Sequence, residues 1–245
     1  MQTNKNRVEI NVKNVSKSFG SVRALHDVSL HFETGKLYGI IGPAGAGKTT
    51  LFRLMQHLMS VDSGGFEYVI DKQSVPFDDF RDNIAYMPQS QSLYSDLSVA
   101  EHLDFFRRLY SMDDAEFQSK KRELLKMTRL DKFLDRTAGN LSGGMYKKLG
   151  LMCALLRSPR VMLLDEPTNG VDPISRREFW NLLHESILSG ILVIMTTAYM
   201  DEAERCDDVV LMDDGHVLAN GEPSELLHKY KCRNFDEFFL KRGEK

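Results

Sequence analysis

Cysteine is scarce in this chain of 245 residues. Cys153, Cys206 and Cys232 are odd in number and far apart, so they form neither a disulfide framework nor a metal-ligand pair, and they point to a reducing compartment. Long apolar runs are missing too. The longest uncharged stretch, residues 186–200, is too short to span a bilayer and too rich in β-branched residues for a membrane helix. The opening MQTNKNRVEI is polar and lacks the apolar segment of a signal peptide. Neither charge sign dominates: 32 basic against 35 acidic residues give a net charge of −3. That balance excludes a broad basic field for nucleic acid or anionic lipid, while leaving room for a local patch. No internal repeat or low-complexity segment is present. A length of 245 residues fits one large domain, or a core with a subdomain inserted in it.

The pattern along the chain is that of an interrupted α/β core. Residues 8–12, 28–32 and 37–41 alternate or are β-branched and read as strands. A helix is expected from Lys48, with Leu51, Leu54, Met55 and Leu58 on one face. Residues 84–87 read as a strand ending at Pro88. The character then becomes helical from about residue 90 to 155. Ser98 and Glu101 form a capping box ahead of Val99, Leu103 and Phe106, and Phe117, Leu124 and Met127 continue the helical spacing. Apolar runs at 161–164 and 191–196 suit parallel strands buried on both faces. Between them Asp172-Pro173 opens a helix with Phe179, Leu182 and Leu183 inward. Asp213-Asp214-Gly215 reads as a hairpin turn between residues 209–212 and 216–218, and short helices follow from Glu222.

Gly42-Pro43-Ala44-Gly45-Ala46-Gly47-Lys48-Thr49 satisfies G-x-x-x-x-G-K-[ST] between an expected strand and an expected helix. Glycine lets backbone N–H groups turn inward around phosphate oxygens, and the helix amino terminus adds partial positive charge. Lys48 is placed to reach the β- and γ-phosphates of a nucleotide, and the Thr49 hydroxyl to ligate Mg²⁺. Further on, the apolar run 161–164 ends in Asp165 and Glu166. Beside a phosphate loop, such a strand delivers Asp165 to the magnesium shell and Glu166 to the attacking water. Away from one, the same pair is a solvated strand end.

Leu141-Ser142-Gly143-Gly144, just before a helix, is the third motif. With the phosphate loop (Walker A) and the carboxylate strand (Walker B) in order, the sequence resembles the ATP-binding cassette of ABC transporters from about Val8 to Gly221. The resemblance implies an α/β fold: a P-loop NTPase core (about 1–89 and 156–221) with an antiparallel β subdomain, an inserted α-helical signature subdomain (about 90–155) and C-terminal helices (about 222–245). It implies ATP bound by residues 42–50, Thr50 included, with Mg²⁺ at Thr49, Gln89 and Asp165, and catalysis by Glu166, Lys48 and Gln89. It also implies a second cassette packed head to tail, whose nucleotide meets Ser142, Gly143 and Gly144 of this chain. A serine and two amides at a helix amino terminus suit a γ-phosphate supplied from outside; the plain alternative is a serine-capped helix. Phe19 matches the aromatic that stacks on adenine, against the alternative of core packing. Gln89 matches the glutamine that contacts Mg²⁺ and links nucleotide to the helical insertion, with residues 90–96 as the docking surface for a transmembrane permease. Asn169-Gly170-Val171-Asp172 matches the loop that faces the partner cassette, with Asp172 facing it across the dimer; Asp172 is equally a helix N-cap. The chain is thereby expected at the cytoplasmic face of the cell membrane, with no nucleic-acid partner. The segment around 236–240, LSGGM and DEPTNGVDPISRR resemble cassettes of multidrug and lipid export systems.

Two positions depart from the family pattern. Thr196-Thr197-Ala198-Tyr199-Met200-Asp201-Glu202-Ala203 carries Ala198 where T-T-H-x-x-D-E-A has a histidine. An imidazole there would donate to the γ-phosphate, and loss of one such donor costs on the order of 100- to 1000-fold in rate. A missing histidine also occurs in the first cassette of some tandem-cassette exporters. The expectation is a cassette that binds ATP, turns it over slowly at its own site, and completes a partner's site through an intact LSGG. The alternatives are a homodimer in which Glu166 suffices and a regulatory subunit with negligible turnover. A soluble relative acting on ribosomes or DNA is disfavoured by the acidic balance. Met145 replaces the commoner glutamine of the signature, with little expected effect. Lys120-Lys121-Arg122 reads as a solvated helix face or a contact for permease loops or lipid headgroups. His184-Glu185 fails the zinc-protease pattern because position 188 is Leu.

Overall fold

The computed structural model describes residues 7–243; most of the polar opening stretch, residues 1–6, lies outside the described residues. In chain order the elements are β1 (Val8–Phe19), β2 (Val22–Glu33), β3 (Leu37–Ile41), α1 (Lys48–Met55), β4 (Ser63–Ile70), β5 (Gln73–Val75), α2 (Phe77–Phe80), β6 (Ile84–Met87), α3 (Val99–Leu109), α4 (Asp114–Thr128), α5 (Gly143–Leu155), β7 (Val161–Asp165), α6 (Pro173–Leu188), β8 (Leu192–Thr197), β9 (Asp208–Asp213), β10 (His216–Gly221), α7 (Pro223–Tyr230) and α8 (Phe235–Gly243). Short 3₁₀ turns fill several of the connections.

The strands make two sheets. One has the order β2-β1-β4-β5 and is antiparallel throughout; the other runs β10-β9-β3-β8-β7-β6. In the second sheet β9, β3, β8, β7 and β6 are parallel, and the β9–β10 hairpin adds an antiparallel edge. The central strands β3, β7 and β8 are buried at every residue. Their side chains divide by alternation. Leu37, Ile41, Met162, Leu164, Val193 and Met195 face a core shared with α3 to α6. Tyr38, Ile40, Val161, Leu163, Leu192 and Ile194 face a core shared with α1 and the antiparallel sheet. A parallel sheet covered on both faces needs apolar residues on both, which is why these runs read as continuous rather than alternating.

Several local expectations meet their structural counterparts. Ser98 caps α3 in a full capping box with Glu101, and Asp172 caps α6 ahead of Pro173. Asp214 and Gly215, at φ 43° and 73°, turn the β9–β10 hairpin. Two expectations need correction. Leu58 is not on the buried face of α1: it is 64% exposed, because the helix ends at Met55 and His57 has φ 52°. The first two strands are each 12 residues long, far beyond the stretches 8–12 and 28–32. Register shifts near Asn14 and Asp27, both at φ 51°, break the period-two pattern there and hide the strand from a reading by alternation.

Candidate functional site

The phosphate loop leaves the buried end of β3 and enters α1. Gly45 and Gly47 have φ of 84° and 98°, a region that side chains with a Cβ avoid. A Cβ on Gly47 would also lie 2.6 Å from the Ala24 carbonyl oxygen, and one on Gly42 would overlap the Met212 carbonyl. The loop is thus packed against β2 at Gly47 and β9 at Gly42, with no room for larger residues at those two positions. Residues 44–50, with Ala24, Gln89 and Glu166, line a cavity of about 200 Å³. Lys48 is buried, and its ammonium donates to the carbonyls of Gly42 at 2.7 Å and Pro43 at 2.9 Å. Burial lowers its pKa below the ordinary lysine value, against the opposing pull of Glu166 and Asp165.

Strand β7 carries the carboxylates to the same place. Asp165 is fully buried; one oxygen accepts from the Thr196 hydroxyl at 2.6 Å and the other from the Tyr86 phenol at 3.3 Å. Burial, then the Asp165 carboxylate, pushes the Tyr86 hydroxyl up to about 12, so it stays a donor. Glu166 follows at φ 45°, an uncommon conformation for a residue with a side chain. Its backbone N–H donates to the Thr196 carbonyl at 3.1 Å and hydroxyl at 3.0 Å. Its Oε2 accepts from Gln89 Nε2 at 2.8 Å and Asn169 Nδ2 at 3.2 Å, and its Oε1 lies 3.8 Å from the Lys48 ammonium. Walker A lysine, Gln89 and the second carboxylate are therefore brought together from three separate segments.

Of the residues expected around Mg²⁺, Thr49 and Gln89 line the cavity, whereas Asp165 is fully buried and does not line it. The Thr49 hydroxyl, the Gln89 amide oxygen and the Asp165 carboxylate are hard donors of the kind that suit Mg²⁺ together with phosphate oxygens. Gln89 uses its NH₂ on Glu166, so its oxygen remains an acceptor, and each Asp165 oxygen keeps a lone pair beyond its one hydrogen bond. Among the described residues no group of three or more His, Cys, Asp or Glu could hold a metal ion; the set here contains a single acid.

The remaining expected residues lie elsewhere. Phe19, at the end of β1, is 48% exposed with the Lys17 ammonium 5.7 Å from its ring centre, so it is not core, and it does not line the cavity. Ser142 caps α5 by accepting from Met145 N–H, and it and Gly143 are exposed. Gly144 is buried against α6, where a Cβ would overlap Ser175. This signature turn does not line the chain's own cavity. Asp172 accepts from the N–H groups of Ile174 and Ser175, so it is the α6 cap. Ala198 is exposed at the end of β8, and no histidine lines the cavity. Tyr86 and Thr196 were not anticipated as site residues; each lies near a motif, yet its partner, Asp165, is at another place in the chain. Asn169, expected only as part of the partner-facing loop, turns back to Glu166 three residues before it. Lys147 on α5 is a further surprise: its ammonium sits 3.5 Å from the Gln89 carbonyl, and burial lowers its pKa.

The comparisons with known proteins agree with this geometry. The family described as ABC transporter matches residues 25–169. The chain is 43% identical over 215 residues to the "Probable multidrug ABC transporter ATP-binding protein YbhF" of Escherichia coli (strain K12), covering 85% of this chain and 36% of that protein. It is 32% identical over 225 residues to "Nod factor export ATP-binding protein I" of Ralstonia nicotianae, covering 91% of this chain and 70% of that one. The chain spans about a third of the length of the first curated relatives it matches. A solved "ATP binding subunit of ABC transporter" superposes with a TM-score of 0.81 at 28% identity, covering 95% of this chain and 98% of the other. With the motif order, the P-loop fold and the matched sequence span all in agreement, the chain belongs to the ABC transporter family, as one of its ATP-binding cassettes.

Proposed function

We propose that this cassette is the ATPase subunit of an export system, and that its own site turns over slowly. The observation that carries the proposal is the meeting of Lys48, Gln89 and Glu166 at one cavity that no histidine lines, in a chain with alanine at position 198. On ATP binding, Lys48 exchanges two carbonyl acceptors for β- and γ-phosphate oxygens, and backbone N–H groups of the loop from Ala44 onward surround the phosphates. Phe19 stacks on adenine. Thr49, Gln89 and Asp165 hold Mg²⁺, which supplies charge neutralisation at the phosphates when bound. Glu166, fixed by Gln89 and Asn169, orients the attacking water and takes its proton.

The signature turn serves a second cassette. Ser142 and Gly143, both exposed at the start of α5, lie outside the chain's own cavity, which supports closure by a partner molecule packed head to tail. The division into a core (1–89, 156–221), a helical insertion (90–155) and C-terminal helices (222–245) belongs to the same reading. So does a transmembrane permease docked at residues 90–96, with the cassette peripheral at the cytoplasmic face of the membrane. Among the described residues no helix is long and apolar enough to cross a membrane, so any spanning segment of such an assembly has to come from elsewhere. Export follows the names of the relatives, a multidrug and a Nod factor export protein.

Phosphate release by the purified chain tests the reading. Slow turnover is expected, Glu166→Gln should abolish it, and Ala198→His should raise it by at least about tenfold, since a preorganised donor is worth on the order of 100-fold or more. Fast parental turnover that Glu166→Gln abolishes would falsify the slow-site reading. Ala198 also favours a second reading, a nucleotide-binding regulatory subunit. That reading predicts no loss of turnover in the assembled transporter when Glu166 alone is changed to Gln.

A further inference from the structure

The place that the family gives to a histidine is followed here by a tyrosine with an unusual set of partners. Tyr199 is half-buried, and its N–H donates to the Thr197 hydroxyl at 3.0 Å. Its phenol donates to Asn169 Oδ1 at 3.3 Å. Asn169 in turn donates through Nδ2 to Glu166 Oε2 at 3.2 Å, the same oxygen that accepts from Gln89. The ring is pinned from one side by the Arg176 guanidinium, 4.5 Å from its centre. The guanidinium lies 3.9 Å from Asp201 and 3.9 Å from Glu202, whose carboxylate is buried, within ion-pair range but beyond hydrogen-bond reach. The order is therefore Arg176 on Tyr199, Tyr199 to Asn169, Asn169 to Glu166.

We propose that Tyr199 is a positioning residue for Glu166, acting through Asn169 where the imidazole is missing. An asparagine side chain has one acceptor end and one donor end. A phenol that donates to Oδ1 fixes which end faces Glu166, so the NH₂ points at the carboxylate. Asn169 is otherwise exposed on the loop before α6, free to rotate in water. The restraint acts on the base rather than on phosphate, so it steadies Glu166 without replacing the lost γ-phosphate donor. The proposal rests on Glu166 being the group that orients the attacking water.

Tyr199→Phe removes the hydroxyl and keeps the ring under Arg176. In single-turnover hydrolysis with protein in excess over ATP, the rate constant should fall on the order of tenfold, the worth of one positioning hydrogen bond. ATP affinity and thermal midpoint should not change. Asn169→Ala should give a similar fall, and the double variant no further one. With ¹⁵N-labelled asparagine in the nucleotide-free protein, Tyr199→Phe should shift the Asn169 side-chain amide signals and speed their exchange with solvent. An unchanged rate constant, additive losses in the double variant, unmoved Asn169 signals, or a loss confined to affinity or thermal midpoint would each overturn the proposal. Glu166→Gln run alongside separates the two layers. If it leaves hydrolysis intact, the reading of Glu166 fails first, while the Asn169 signals still report whether the tyrosine holds the amide.

Discussion

At the residue scale, the site is a small group of side chains, each restrained by specific partners. Lys48 sits over two carbonyls of its own loop, a posture that leaves its charge ready for an incoming anion. Lys48→Ala should therefore weaken ATP binding by on the order of 100-fold in equilibrium dialysis, as expected for loss of a charge-assisted phosphate contact and its buried cation; unchanged affinity would contradict the assignment. Thr196 matters for a different reason. Its hydroxyl donates to buried Asp165 and accepts from the Glu166 N–H, so one small side chain sets both acids. Thr196→Val keeps the shape and removes both bonds. It should cost about 1–3 kcal/mol of unfolding free energy, the penalty for a buried acceptor left short of a donor, read as a lower urea midpoint. Asp165 and Glu166 were legible from a strand ending in two acids. Thr196 and Tyr86 were not, because a hydroxyl carries no signal until another part of the chain is placed beside it.

At the element scale, what holds the helices in place is a set of caps and close approaches. Asp172 opens α6 by accepting from Ser175 and Ile174, and those bonds, Ser175 foremost, hold its carboxyl below the usual aspartate range. A depressed native pKa contributes stability that is complete above the unfolded value of 3.8 and is lost as pH falls through the native one. Asp172→Ala should lower the thermal midpoint at neutral pH, and the gap to the parent should narrow once pH drops below 3.8. A gap that stayed constant with pH would mean the carboxylate is not what caps the helix. Helices α5 and α6 meet through the Lys148–Glu178 ion pair and through Gly144, which leaves space for Ser175. The caps, the buried parallel strands and the hairpin at Asp214-Gly215 were readable because each has a short local signature. Strands β4 and β5 and helix α2 were not. In β4 only Tyr68 is fully buried and the strand opens on Ser63-Gly64-Gly65, so no alternation marks it. Its position is set by pairing with β1, a contact between distant parts of the chain.

At the scale of the whole molecule, the signature turn does not line the cavity at the phosphate loop; in the proposed reading that cavity is half of a nucleotide site and the turn completes a partner's. The cavity lined by residues 44–50 offers a triphosphate backbone N–H groups and the Lys48 ammonium. The exposed serine and glycine at the start of α5 have no counterpart ligand within their own chain, and their partial positive charge suits an anion held elsewhere. If two chains close over two nucleotides, a hydrolysis-blocked protein should stay closed. Glu166→Gln with ATP should then run in size-exclusion light scattering at twice the 28.0 kDa monomer mass, and return to the monomer without nucleotide. Adding Ser142→Arg, which puts a bulky side chain at the turn while sparing the phosphate loop, should abolish the dimer but leave ATP binding intact. The two losses report on different surfaces: retained dimer in the Ser142 variant would place the contact away from the signature turn, and lost ATP binding would mean the turn and the chain's own cavity are not independent. The expected pattern, affinity kept and association lost, is what a site divided between two molecules requires.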